Sequence, residues 1–300
     1  MILDKSLKEA LFTCSILVQK KMSDLLILEE SQDSHLLEAM RYSALSEGKR
    51  LRPFLLITCA NLFGAPTISS LNAAAAIEFV HTYSLIHDDL PAMDNDDFRR
   101  GNLTSHKKFD EATAILAGDA LLTYAFEILS SAKTHEDPLI RCELIKILSR
   151  SSGFRGMVSG QMIDIENKNK KITKEKIANI HRLKTGELFM ASCEMGAVIG
   201  KASNEDKKHL KYFAHDLGLL FQIKDDILDY KGIKRGKTDI DEITKPKNSD
   251  NISIVHTIGI EAANQQIELL CDQSKTHLKY FGHKARILNE LIDYVSLRSS

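Results

Sequence analysis

Residues 84–101 read SLIHDDLPAMDNDDFRRG. Five aspartates (Asp88, Asp89, Asp94, Asp96 and Asp97) crowd into ten residues, Arg99 and Arg100 follow at once, and the apolar run IEFVHTYSLIH leads in. That run has helical periodicity. Pro91 cannot sit in a helix interior and turns Leu90 away from helical dihedrals, so the helix is expected to stop or kink near Asp88 and Asp89. On an unbroken helix Asp94 would point about a third of a turn from Asp88, whereas a break at Pro91 lets it fold back toward the same place. Oxygen-only ligands that repel one another suit Mg²⁺, which takes a few carboxylates, water and substrate phosphate oxygens. Asp96 and Asp97 then fall outside the first ring of ligands. The two guanidinium groups that follow match phosphate in bidentate fashion.

A second cluster, FQIKDDILDY at residues 221–230, carries Asp225, Asp226 and Asp229. Residues four apart share a helix face, so Asp225 and Asp229 stack one turn apart with Asp226 alongside. Phe221, Ile223, Ile227 and Leu228 around them mark a partly buried helix, where such repulsion needs a cation. A third element, GKRLRPF at residues 48–54, sets Lys49, Arg50 and Arg52 at the start of an apolar helix. Basic side chains there oppose the helix dipole unless an anion docks.

Apolar residues recur at three and four spacings through most of the chain, and alternating strand-like runs are nearly absent. The pattern predicts an all-α chain of about ten helices. Breaks are expected at Pro66 and Pro138, with Thr173 as an N-cap and Ser203 with Asp206 as a capping pair. No linker or repeat divides residues 1–300, so one domain is expected. The 300 residues, 43% hydrophobic, can bury a sizeable core. Forty basic against 41 acidic residues, net −1, show no global bias toward nucleic acid or an anionic membrane. Five scattered cysteines without a CxxC pair fit reduced thiols in a cytoplasmic protein and argue against zinc. The N-terminus lacks a basic lead and a small-residue cleavage site, so no secretory signal is read. The most apolar stretch, residues 112–132, is interrupted by Asp119 and Glu127, and no stable membrane insertion is expected. The polar, lysine-rich stretch at residues 230–251 is the one long irregular candidate, of a length often found in lids.

Together GKRLRPF, YSLIHDDLPAMDNDDFRRG, AILAGDAL, GMVSGQMIDI, HRLKTGELF and FQIKDDILD occur in the order of the trans-isoprenyl diphosphate synthases, and the chain resembles that family over nearly its whole length. Within that family it most resembles the bacterial farnesyl diphosphate synthases and their geranylgeranyl relatives. The resemblance implies a single-domain isoprenoid synthase bundle around a deep central cavity, usually homodimeric. It implies that Asp88, Asp94 and Asp89 on one wall, and Asp225, Asp226 and Asp229 on the other, hold about three Mg²⁺ ions, with Mn²⁺ a possible substitute. Arg99 resembles the arginine that grips the allylic diphosphate. Arg100, Lys49, Arg52 and His81 resemble the isopentenyl diphosphate pocket. Lys184, Thr185 and Gln222 resemble the trio at the reaction centre, and Gln161 and Asp164 a segment near the cavity wall. Departure of diphosphate from an allylic carbon separates charge, so an electrostatic clamp rather than a protein nucleophile is needed.

Product length is steric. Tyr83 and Ser84 lie about one turn before Asp88, where the growing tail extends. In the family an aromatic residue at the Tyr83 position with the inserted Pro91-Ala92 resembles farnesyl (C15) synthases, and a geranylgeranyl (C20) product is the alternative. Glu47 stands where the family usually has glycine, and the lid departs further, leaving Lys234, Lys237, Lys245 and Lys247 as candidate phosphate contacts and Asn251 at one alignment of the usual lysine. His87 beside Asp88 could belong to an HD-type phosphohydrolase, but that reading leaves the second cluster and the arginine pair without a role. A terpene cyclase would carry an Asn/Ser/Glu pattern in place of DDILD. A catalytically silent synthase subunit would be expected to have lost one motif.

Overall fold

The computed structural model describes residues 2–27, 34–168, 170–232 and 253–298. Helix α1 spans Leu7–Leu25 behind a Ser6–Glu9 capping box, α2 Ser34–Ala44, α3 Leu51–Leu62 and α4 Thr67–Asp88. A short α5 (Ser105–Lys108) precedes α6 (Glu111–Ser130), α7 (Pro138–Ser152), α8 (Met157–Asn167) and α9 (Lys174–His181). After them come α10 (Glu187–Ile199), α11 (Asn204–Tyr230), α12 (Ile254–Ile258), α13 (Ile260–Leu278) and α14 (Arg286–Leu297). The expected boundaries hold. Pro66 precedes α4, Pro138 opens α7, Thr173 accepts from the Lys176 amide, and Ser203 and Asp206 form a full capping box.

Helices α3 and α10 are apolar on nearly every side, and both are buried almost throughout. A helix of that composition belongs at the centre. They pack on each other, with α4 beside α3 and α11 beside α10, while α6 covers α4 and α13 covers α11. By length and composition α6 could cross a membrane. Its apolarity has a packing reason: Ala114, Ala117, Gly118, Leu121 and Ala125 are buried in the core, and α6 lies along α4.

The expected break after Asp88 is present, and its geometry is specific. Helix α4 ends at Asp88 with Asp89 as C-cap. The loop then doubles back, with the Asp94 amide donating to the Asp88 carbonyl at 2.9 Å and the Asp96 amide to the Asp89 carbonyl at 3.2 Å. The only β pairing among the described residues follows, Phe98–Arg99 against Asn102–Leu103. Its turn residues, Arg100 and Gly101, both have positive φ, 53° and 79°. Glycine adopts this conformation freely, and an arginine does so only when held.

Between α9 and α10 the chain forms a π-helical turn, Arg182–Gly186, in which the Glu187 amide reaches back to the Arg182 carbonyl. Helix α8 packs directly on this turn, and only glycine fits at 160, where a Cβ would sit 2.3 Å from the Lys184 backbone nitrogen. At Gly196 the same closeness occurs far from the aspartates, with an added Cβ 2.2 Å from the Leu56 carbonyl oxygen. Both Gly160→Ala and Gly196→Ala are expected to cost about 1–3 kcal/mol in chemical denaturation. Only Gly160→Ala, which shifts Lys184, is expected to lower kcat beyond the loss of folded protein; equal kcat for the two variants would contradict this.

Candidate active site

The first aspartate cluster divides by partner. Asp89 is 3% exposed, and its carboxylate accepts from Arg99 Nε at 3.0 and 2.9 Å and from Arg99 Nη2 at 2.7 Å. Asp94 is exposed and accepts from Lys168 Nζ, at the end of α8, at 2.7 Å. Asp88 is pushed up to about 6 by burial, with Asp94 and Asp89 adding to the shift against Lys184 and Arg99. Asp97 pairs with Lys107 at 3.0 Å, away from the others.

On the π-helical turn, Lys184 donates to Asp164 on α8 at 2.6 Å. Burial pulls its ammonium down, but Asp164 and Asp88 outweigh burial and the net shift is upward. Lys184 thus lies within reach of the fields of both α8 and the first aspartate cluster. Next to it the Thr185 hydroxyl donates to Gln222 Oε1 at 3.0 Å, and Gln222 Nε2 donates to Asp226 Oδ1 at 3.1 Å. Asp226 is 6% exposed, and its Oδ2 accepts from the Ile254 amide at 2.7 Å, with His181 Nε2 at 3.7 Å. Burial pushes Asp226 up to about 6 despite these donors, and pushes His181 down to about 4. Asp225 instead meets Arg298, whose guanidinium also donates to the Phe221 carbonyl at 2.9 Å and stacks 4.0 Å from the Phe221 ring. Asp229 is exposed on the last turn of α11.

The basic element ahead of α3 divides too. Arg50, at a positive φ of 47°, turns inward to Glu78 at 2.7 Å and to the carbonyls of Ala44 and Ser46, so it anchors the end of α2 rather than a ligand. Arg52 points the other way, 3.3 Å from His81 Nε2 and 5.1 Å from the Phe189 ring centre. Its Nε is buried without a partner. Burial lowers Arg52 to about 10, partly offset by Glu78, and burial with Arg52, Arg100 and Arg99 nearby holds His81 well below its ordinary value. Lys49 is exposed at the rim. Arg100 lies on the Glu47–Gly48 backbone, donating to the Glu47 carbonyl at 2.5 Å, and a Cβ at Gly48 would be 2.7 Å from it. A cavity of about 340 Å³ opens under this hairpin, lined by His81, Asp89, Arg99 and Arg100 among others. Arg41, Arg50, Arg99 and Arg100 outnumber Glu78 and Asp89 in its lining, and a guanidinium excess of that kind suits an anion.

Tyr83 is 7% exposed and packs edge-on to His87 at 5.6 Å, while Ser84 turns its hydroxyl back to the His81 carbonyl. His87 reaches the Ile115 carbonyl at 3.1 Å and lies 3.9 Å from Asp119, so it faces α6 and not an ion shared with Asp88. Gln161 Oε1, on the same helix as Asp164, is buried without a partner. Lys234, Lys237, Lys245, Lys247 and Asn251 lie outside the described residues. Arg298 and Lys168 carry no motif, and sequence reasoning missed both. Among the described residues no three His, Cys, Asp or Glu side chains converge to hold an ion unaided. Partly buried aspartates held by lysine and arginine still fit Mg²⁺, which commonly binds one or two carboxylates and completes its shell with water and phosphate.

A family model described as polyprenyl synthetase matches residues 33–284. The farnesyl diphosphate synthase of Micrococcus luteus is 42% identical over 268 residues, covering 89% of this chain and 90% of its own. The large subunit 1 of the heterodimeric chloroplastic geranylgeranyl pyrophosphate synthase of Arabidopsis thaliana is 39% identical over 97% of this chain and 79% of its own. The crystal structure of an FPP/GFPP synthase from Zymomonas mobilis superposes with a TM-score of 0.87 at 39% identity, covering 99% of this chain and all of that one. With the helical fold, the two aspartate clusters and the arginine-lined cavity, these relationships make the chain a prenyltransferase that belongs to the polyprenyl synthetase family.

Proposed function

We propose that the chain condenses isopentenyl diphosphate with dimethylallyl or geranyl diphosphate, head to tail, to give farnesyl diphosphate and free diphosphate. The observation that carries the C15 product is the buried Tyr83 ring, packed on His87 about one turn before Asp88. An aromatic ring at that depth acts as a floor for the growing tail. Relatives named farnesyl diphosphate synthase support it, and the geranylgeranyl relatives make a C20 product the reading to test against.

Asp88 and Asp94 on one side, and Asp225 and Asp229 on the other, would hold Mg²⁺. When bound, the ions neutralise the diphosphate charge that grows as the allylic C–O bond breaks. Arg99 carries the allylic diphosphate beside them, and Lys184 takes the departing one. Lys49, Arg52, His81 and Arg100 hold isopentenyl diphosphate, an anion that Arg52 and Arg100 match in bidentate fashion. Holding both substrates in line turns the encounter into an intramolecular attack of the double bond on the allylic cation. The Thr185 and Gln222 oxygens face that cation. The proton then lost goes to the released diphosphate, so no protein base is required.

The intact second cluster supports an active rather than a silent chain. Outward-facing Ile115 and Leu116 on α6, exposed at 43% and 57%, support a homodimer formed through that helix. Unpaired thiols at all five cysteines support residence in the reducing cytoplasm.

Incubation with Mg²⁺, labelled isopentenyl diphosphate and each allylic starter, followed by sizing of the dephosphorylated products, is expected to give mainly a C15 alcohol. Tyr83→Ala is expected to shift it to C20 or longer; an unchanged length places the floor elsewhere. Asp88→Ala and Asp225→Ala are each expected to lower kcat by about 10²-fold or more while the protein stays folded, and unchanged turnover would remove them from the machinery. Because Asp88 in the native protein keeps its proton up to about pH 6, protons compete with Mg²⁺ there. The Mg²⁺ concentration for half-maximal rate is expected to rise as pH falls through about 6. The sign for stability is opposite. Between the ordinary carboxylate value of 3.8 and about 6 the native metal-free protein binds more protons than the unfolded chain, so this group's contribution to stability falls as pH rises through that window, a slope that Asp88→Asn is expected to remove in thermal melts.

A further inference from the structure

We infer that Asp226 is a positioning residue: it fixes which end of the Gln222 amide faces the reaction centre, and ties that choice to the start of α12. The inference rests on the reaction-centre role proposed for Gln222. A primary amide offers an oxygen on one side and an NH₂ on the other, and the two orientations have nearly the same shape. The Thr185 hydroxyl does not choose between them, because a hydroxyl can donate or accept. An ionised carboxylate can only accept. Asp226 Oδ1 lies 3.1 Å from Gln222 Nε2, so the NH₂ must turn to Asp226 and the oxygen must turn to Thr185 at 3.0 Å. The polarity is the one a carbocation needs, since an oxygen dipole stabilises developing positive charge and an NH₂ group opposes it.

Asp226 is itself held from outside the centre. Its Oδ2 accepts from the Ile254 amide, 28 residues on, and the Ser253 hydroxyl also bonds to this carboxylate. His181 Nε2 lies 3.7 Å away, and Asp164 is the nearby like charge. At 6% exposure this carboxylate is committed to Gln222, Ile254 and Ser253, whereas Asp225 of the same cluster meets Arg298 and Asp229 is exposed. The sequence DDILD makes the three look alike, but the structure gives the middle one to Gln222 and α12. The start of α12 and the reaction-centre amide therefore share one carboxylate, and displacing Ser253 and Ile254 would loosen Gln222.

A hydrogen-bond exchange cycle tests the assignment. In Asp226→Asn the new amide keeps its oxygen on the Ile254 N–H and presents NH₂ to Gln222, which must then turn its own NH₂ toward Thr185. The expected result is a fall in kcat of about 10²-fold with little change in KM for either diphosphate. Gln222→Glu alone sets two carboxylates against each other and is expected to fall comparably. In the double variant the NH₂ of the introduced asparagine donates to the introduced glutamate, whose free oxygen again faces Thr185, and kcat is expected to recover about tenfold or more over either single variant. If a single variant does not fold, recovery of both folding and turnover in the double variant makes the same comparison. Calorimetric titration of Mg²⁺ in the presence of inorganic diphosphate supplies the second readout. Asp226→Asn is expected to leave that affinity within about twofold, whereas Asp225→Asn weakens it about tenfold or more. A double variant no better than its singles, or a Mg²⁺ affinity that falls as far in Asp226→Asn as in Asp225→Asn, overturns the proposal. Unchanged kcat in Gln222→Met, with a working wild type, would instead overturn the role proposed for Gln222 itself.

Discussion

Carboxylates gathered at the C-terminal ends of two buried helices impose the constraint that organises this protein. Asp88 and Asp89 close α4, and Asp225, Asp226 and Asp229 close α11, where the helix dipole is already negative. Partial burial raises the cost, because a desolvated charge without a partner is expensive. A fold that keeps such an arrangement has to bring cations to it. Arg99 comes from the short β-hairpin, Lys168 from the end of α8, Lys184 from the π-helical turn and Arg298 from beyond α14. Each of these cations stands on a different element from the aspartates it serves, so the charge problem at the two helix ends becomes tertiary structure. The remaining negative charge is what a diphosphate with its Mg²⁺ ions would meet.

The same pairings sort the aspartates by task. Asp89 and Asp226 are the most buried member of each cluster, and both are taken up by protein donors. Asp89 sets the Arg99 guanidinium and Asp226 sets the Gln222 amide, while Asp88 and Asp225 are half-buried and Asp94 and Asp229 exposed. Division of labour within a run of identical residues thus follows from burial together with the partner each carboxylate meets. The basic side follows the same logic. Arg50 and Arg52 are two apart on the entry to α3, yet one neutralises Glu78 in the interior and the other lies against His81 with an orphaned N–H.

Two local backbone irregularities do the fine placement. The turn at Arg100 and Gly101 throws Arg99 and Arg100 to different sides, toward Asp89 and toward the Glu47 carbonyl. The π-helical turn at Arg182–Gly186 sets Lys184 against Asp164 and Thr185 against Gln222, and the glycine at 160 lets α8 approach it. π-Turns cost regular hydrogen bonding and recur at functional sites for that reason. Neither irregularity has a periodic signature, since each depends on what packs behind it.

The sequence alone was enough for the all-α class, for the breaks at Pro66, Pro91 and Pro138, for the caps at Thr173 and Ser203, and for two acidic clusters with an arginine pair between them. Those features are local: helical period, proline sterics and capping chemistry act over a few residues, and like-charge crowding is visible wherever it is written. The return of Asp94 onto Asp88 was also legible, because proline leaves the chain few other routes. The tertiary structure decided the rest. It separated Arg50 from Arg52, gave Asp89 and Asp226 to anchoring, turned His87 toward α6, and brought Lys168 and Arg298 to aspartates 74 and 73 residues away. Which side chain of a cluster is buried depends on the helix packed against it, and that contact is made across the chain rather than along it.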